Sequence, residues 1–325
     1  MNRQRFLQRF VLGAAAAALL GLATGARAEP WPAKPITMVI PFPPGGTLDA
    51  VGRLLAQKLG QQLGQTVIVD NRAGGAGTIG ASAVARAPGD GYTLLFSAST
   101  FTTTPMTQKT ATYDVVKDFA PVALVAKAPL AIAVNKNLPF NDVKGLLTYA
   151  RAHPGKLTFA IGSAGSAGHL STEMLRRAGQ MEYLIVPYKG SAPAYQDLIG
   201  GSVDAFIDPI LGSASFAKAG QLKVLAVTSK NRVPSQPDLP TVGETVPGYE
   251  FYSWYGLWGP ASLPKEIAVR LNAEVNKALG TDMREQLTPQ GLLLTPGSID
   301  DFVRFQKDDM ALSQRIVTEG KIRAE

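Results

Sequence analysis

The sequence predicts an α/β protein of two lobes with a ligand cleft between them. Three observations carry this expectation. A strand–loop–helix rhythm starts at Ile36, stops near residue 126 and starts again at residue 143. The order strand, helix, strand argues for mostly parallel sheets covered by helices on both faces. The chain has 325 residues and 46% apolar content, enough for two cores of roughly 150 residues each. Two interruptions, at 126–129 and 234–259, supply the crossings between lobes. These boundaries give residues 29–126 and 254–325 to the first domain and 127–253 to the second. In open α/β sheets ligands bind outside the carboxyl ends of the strands, which here face the cleft.

The first strand begins at Ile36 and breaks into Pro41-Phe42-Pro43-Pro44-Gly45-Gly46-Thr47. The glycines free their amides to turn toward a ligand, the prolines stiffen the approach, and Thr47 is a good N-cap. Leu48, Val51, Leu55, Leu59 and Leu63 then recur at spacings of three and four, which predicts a helix with one buried face. Its amino end presents free N–H groups and partial positive charge over the two glycines, an anion cradle. Asp49, in the first turn, either complements the dipole or contacts the ligand. Gly64 ends the helix, residues 66–69 read as a strand, 79–87 as a short helix, 88–91 as a turn and 92–96 as a strand running into Ser97-Ala98-Ser99-Thr100.

Residues 119–125 and 130–134 read as two strands separated at Ala126-Lys127-Ala128-Pro129, the first crossing. The second lobe repeats the opening layout: helix 143–152, strand 157–161, the Gly/Ser loop 162–169, and a helix around 170–178. Strand 183–188 follows, then Lys189-Gly190-Ser191, helix 194–200, strand 203–207 ending at Asp208-Pro209, and strand 222–228. The aromatic stretch 249–259 returns the chain. Helices are expected at 264–279, with Ile267, Leu271, Val275 and Leu279 on one face, and from Ser298, capped by Asp301, to about 319. The loops at 42–49, 162–169 and 188–191 thus aim at one cleft and hold Lys189 as their only cation. A carboxylate there would be held by amides, hydroxyls and bridging water.

Residues 1–28 carry Arg3, Arg5 and Arg9, an apolar run from Phe10 to Ala23 and an Ala26-Arg27-Ala28 site, which together read as a secretory signal peptide cut before Glu29. The formal charge of +7 falls to +3 once the four arginines of that segment are removed. Basic residues are scattered, which argues against a nucleic-acid partner. The absence of cysteine excludes thiol catalysis, thiolate metal sites and a lipid anchor on a processed cysteine.

Two motifs invite enzymatic readings. Gly75-Ala76-Gly77-Thr78-Ile79-Gly80 matches G-x-G-x-x-G, but the following strand ends in Phe96-Ser97-Ala98-Ser99, without the acid that would hold a ribose. Gly165-Ser166-Ala167-Gly168 beside His169 suggests an exported hydrolase, yet Ala164 stands where the nucleophile elbow needs its first glycine. With only His153 and His169 and no clustered carboxylates, no catalytic residue, metal site or cofactor is expected.

Trp31-Pro32-Ala33-Lys34-Pro35-Ile36 leading into Pro41-Phe42-Pro43-Pro44-Gly45-Gly46 and Asp49, the run Val69–Gly80 with Asp90-Gly91-Tyr92-Thr93-Leu94, and Val186-Pro187-Tyr188-Lys189-Gly190 with Pro193-Ala194 and Asp197-Leu198 resemble the signatures of the substrate-binding receptors of tripartite tricarboxylate transporters, the Bug family. Leu225–Ser229, Pro237–Thr241 and Trp254–Pro260 extend the resemblance over the chain beyond residue 28. It implies a type II-like periplasmic binding protein fold with two hinge crossings, closing on a small organic carboxylate as a monomer. Phe42, Gly45, Gly46, Thr47 and Asp49 would grip the ligand from one lobe, and Gly162, Ser163, Ser166, His169, Tyr188, Gly190 and Asp208 from the other. It also implies a periplasmic location and delivery to large and small integral membrane permease subunits. A periplasmic sensor or adaptor for a signalling partner remains the alternative, because the same closure could be read by either.

Overall fold

The computed structural model describes residues 31–280, 282–320 and 322; the signal peptide expected at 1–28 lies outside them. Ten strands join one curled sheet. They are β1 Ile36–Ile40, β2 Val67–Asn71, β3 Thr93–Ala98, β4 Phe119–Asn135, β5 Thr158–Ile161, β6 Leu184–Pro187, β7 Ala205–Pro209, β8 Leu222–Val227, β9 Tyr252–Pro260 and β10 Leu293–Leu294. The main order is β2-β1-β3-β9-β4-β7-β5-β6, with β8 and β10 pairing β4. A parallel trio, β2-β1-β3, sits at one end and a second, β6-β5-β7, at the other. Antiparallel β9 and β4 lie between them.

This corrects one expectation. Residues 126–129 are no break: β4 is a single 17-residue strand. Its first half, through Pro129, pairs β9, and its second half, from Leu130, pairs β7 and β8. Register shifts after Pro121 and Leu124 absorb the bend. Both crossings therefore run inside paired strands, β4 outward and β9 back, and not through loops.

Among the described residues ten α-helices flank the sheet: α1 Thr47–Leu63, α2 Thr78–Ala85, α3 Thr100–Thr107, α4 Val143–Ala152, α5 Ala167–Gly179, α6 Ser191–Gly200, α7 Ile210–Lys218, α8 Lys265–Leu279, α9 Asp282–Leu287 and α10 Ile299–Glu319. The four leucines and the valine expected on one face of α1 are all buried, and Gly64 closes the helix in the left-handed region. The first core gathers Val39, Leu95, Phe101, Trp254, Trp258 and Phe302; the second gathers Leu130, Ile132, Phe159, Leu170, Ile207 and Tyr249. Helix α10 starts in the first core with Phe302 and finishes in the second with Ile316 and Val317. Among the described residues no helix is long and apolar enough to cross a membrane.

Candidate ligand-binding cleft

Loops from both ends of the sheet line one cleft with a cavity volume of about 110 Å³. Five helices begin at it. Gly46 and Thr47 open α1, Thr100 opens α3, Ser166 and Ala167 open α5, Gly190 and Ser191 open α6, and Asp208-Pro209 leads into α7. In α1 the first intrahelical bond is Ala50 N–H to the Gly46 carbonyl, 3.0 Å, which leaves the amides of Thr47, Leu48 and Asp49 without a helix carbonyl. Each helix start adds partial positive charge, so the cleft favours an anion although Lys189, on an exposed position, is its only cationic lining residue.

The first loop is held by a network around Asp49, which is buried. Its Oδ2 accepts from Arg53 Nε at 2.9 Å and from the Gly45 amide at 3.1 Å, and its Oδ1 accepts from Asn71 Nδ2 at 2.9 Å. Asn71 Nδ2 also donates to the Phe42 carbonyl at 3.0 Å, and Arg53 Nη2 to Asn71 Oδ1 at 2.8 Å. Burial pushes the Asp49 carboxyl up, but the bonds from Arg53, Asn71 and Gly45 outweigh it and hold the group below the usual carboxylate range. Asp49 faces the cleft yet spends its lone pairs on building the loop. Gly45, at φ +94°, takes the left-handed turn that this wiring needs. Its amide points to Asp49, so the anion-facing amides start at α1. Thr47 was expected as N-cap; Gly46 occupies that position in extended conformation, and Thr47 is the first helical residue.

On the other side Gly190 N–H donates to the Gly162 carbonyl at 2.7 Å, joining the two loops there. Ser166 caps α5 by accepting from His169 N–H at 3.2 Å. His169 does not line the cleft: its Nδ1 accepts from the Gly165 amide at 3.1 Å, and burial pushes the imidazole down to about 4, so it braces the loop as a neutral ring. Tyr188 is also turned away, donating to Asp197 Oδ2 at 2.6 Å. Thr103 Oγ1 of α3 donates to the Gly165 carbonyl, tying the first core to the Gly/Ser loop.

The remaining expected residues, Phe42, Gly46, Thr47, Asp49, Gly162, Ser163, Ser166, Gly190 and Asp208, line the cleft, and Gly45 lines an adjoining chamber. Sequence reasoning missed Thr100, Ser191, Ser253 and Tyr255. Ser253 and Tyr255 were legible as alternate residues of a strand, both opposite Trp254, which packs in the first core. Among the described residues no group of three or more His, Asp or Glu could hold a metal ion.

The sequence model described as tripartite tricarboxylate transporter family receptor matches residues 51–322. The chain belongs to this family. Among relatives of this receptor, Protein BugT of Bordetella pertussis is 36% identical over 296 residues, covering 88% of this chain and 90% of BugT. An R. palustris protein solved with adipate superposes with a TM-score of 0.88 at 38% identity, covering 91% of this chain and all of that one. MatC from Rhodopseudomonas palustris with bound malate gives 0.83 at 31% identity, with 88% of this chain and all of MatC covered. The family and the match to these structures bear out the two-lobed α/β fold expected from the sequence.

Proposed function

We propose that this receptor captures a small aliphatic dicarboxylate in the cleft, in the periplasm after removal of residues 1–28, and delivers it as a monomer to the large and small permease subunits of a tripartite tricarboxylate transporter. The observation that carries the reading is the convergence of five helix starts on a cleft with a single, exposed cation. That arrangement suits a compact anion bound by distributed amides and hydroxyls. Adipate in one relative and malate in another support the dicarboxylate class. Phe42, Gly46, Thr47, Gly162, Ser163, Ser166, Gly190 and Asp208, with Ser191, Ser253 and Tyr255 added, are the proposed contacts; Asp49, His169 and Tyr188 act by holding loops.

The test is a thermal-shift and calorimetry panel of adipate, malate, citrate, acidic amino acids and aromatic acids, with recovery of the bound compound. At ligand one hundred times above Kd, stabilisation of about 2.7 kcal/mol is expected for the true ligand, returned chemically unchanged. Conversion of the compound would mark an enzyme. Binding to no member of the panel would remove the carboxylate reading.

A further inference from the structure

Behind the cleft lies a chamber of about 240 Å³ that shares Gly46, Thr47, Ser191, Ala192 and Asp208 with it. Asp208 is the single charged residue of its lining, and the side chain is 7% exposed. One oxygen, Oδ1, accepts from Ser191 Oγ at 2.9 Å. The other, Oδ2, is buried without a hydrogen-bond partner, and so are Thr47 Oγ1, Tyr195 Oη and Tyr255 Oη. Unpartnered buried polar atoms are costly and call for a partner, whether water or ligand.

The surroundings decide which charge state Asp208 can hold. Strand β4 places Ala131 beside it. Helix α6 brings Ser191, Tyr195 and Gln196, α7 brings Gly212 and Phe216, and the start of α1 brings Gly46 and Thr47. Strand β9 brings Ser253 and Tyr255. The titratable groups among these are the two tyrosines, and burial pushes both phenols up, so they stay neutral donors. In the cleft, Lys189 is exposed and Asp49 is committed to Arg53 and Asn71. With no cation against it, burial raises the Asp208 carboxyl to about 7, partly offset by the Ser191 hydroxyl and by the neighbouring Tyr195 hydroxyl, which stands near Oδ2 without a well-formed hydrogen bond to it. Gly212 keeps the space open, since a Cβ there would stand 2.9 Å from both Asp208 Oδ2 and Tyr195 Oη.

We propose that Asp208 binds the second carboxylate of the ligand as a neutral acid, its Oδ2–H donating to a ligand oxygen at the junction of cleft and chamber, so that capture of a dianion takes up one proton from solvent. The proposal rests on the dicarboxylate reading above. It makes Asp208 a specificity residue as well: an ionised Asp208 would instead select a hydroxyl or ammonium donor on the ligand, and binding would then release a proton.

Calorimetry of the wild-type protein with adipate or malate, whichever binds more tightly, in buffers of different ionisation enthalpy reads the proton count directly. Uptake should approach one at pH 8 and fall toward zero below pH 6. Affinity should weaken as pH rises above 7, by up to tenfold per unit. Asp208→Asn keeps a donor and cannot titrate, so its affinity should be flat in pH with no proton uptake. Dicarboxylate binding by the wild type with no uptake, or with release, overturns this inference and leaves the receptor reading standing. Failure of every carboxylate to bind between pH 5 and 8 overturns both.

Discussion

Two buried aspartates face the same cleft and are treated in opposite ways. Asp49 has donors from Arg53, Asn71 and Gly45 on both oxygens and is held low. Asp208 has the Ser191 hydroxyl on one oxygen and no formed hydrogen bond on the other, which lies near the Tyr195 hydroxyl, and is pushed high. A carboxylate surrounded by protein donors is a building part, whatever cavity it borders. A carboxylate left half unsatisfied in a polar pocket is, in the reading proposed above, kept for a ligand.

The largest expected effect that separates the two is their opposite pH dependence in the ligand-free protein. Asp208 has a folded pKa raised from 3.8 to about 7, so its neutral form is favoured in the fold. The stability it contributes is full below the unfolded pKa and is lost as pH rises through 7. The difference corresponds to on the order of 4 kcal/mol between pH 4 and pH 8. Asp49 has a lowered folded pKa, so its contribution is present above the unfolded value and lost as pH falls through the folded one. Urea unfolding from pH 4 to 8 should show Asp208→Asn flattening the decline toward alkaline pH. An unchanged slope in that variant would put the titrating group elsewhere.

Next in size is Asp49→Ala, which strands the Gly45 amide, the Asn71 amide and Arg53 together. A loss of roughly 2–3 kcal/mol is expected from hydrogen bonds to a charged group. Arg53→Ala, at a half-exposed side chain, should lose less than about 1 kcal/mol. Equal losses would mean that the ion pair, and not the loop wiring, is what Asp49 supplies. Third, Gly45→Val should lose about 1–2 kcal/mol because a branched side chain resists the left-handed turn. Gly46→Val, with φ −87° and nothing within 4 Å of an added Cβ, should fold normally and lose ligand affinity. Thermal melts beside calorimetry separate the two glycines. The smallest effect is Lys189→Ala, which should change Kd by less than tenfold, about 1.4 kcal/mol. A complete loss would move the anion from the helix starts to that lysine.

The strands and the long helices were readable because each buries a periodic face, as α1 does with Leu48, Val51, Leu55, Leu59 and Leu63. Helices α3 and α7 were not. Thr100–Thr107 is rich in β-branched residues and carries Pro105, and Ile210–Lys218 has Gly212 and Ser213 in its first turn, so intrinsic propensity speaks against both. Helix α3 is held by hydroxyls bonding back to the turn before, Thr102 to Ser99 at 2.8 Å and Thr104 to Thr100 at 2.7 Å, together with the Thr103 link to Gly165. The unbroken β4 was misread because Pro129 looks like a stop, whereas it marks where the strand exchanges β9 for β7 and β8. Within the site, the Asp49–Arg53 spacing of four was legible as a helix pair. The Asn71 contribution depends on β2 lying beside the loop, which no local pattern states.

The long strand also dictates an order of assembly. Phe119 pairs with Pro260, and Pro129 with Tyr252, so most of the second core, apart from Ile316 and Val317 of α10, lies in sequence between the two strands that complete the first. Local hairpins and βα units can form early, but the first core stays open, with Trp254, Trp258 and Phe302 missing, until the rest of the chain is present. Contacts of such sequence separation slow folding and lengthen the life of partly collapsed states. The amino-terminal lobe therefore cannot be finished first, and refolding should close the first core late.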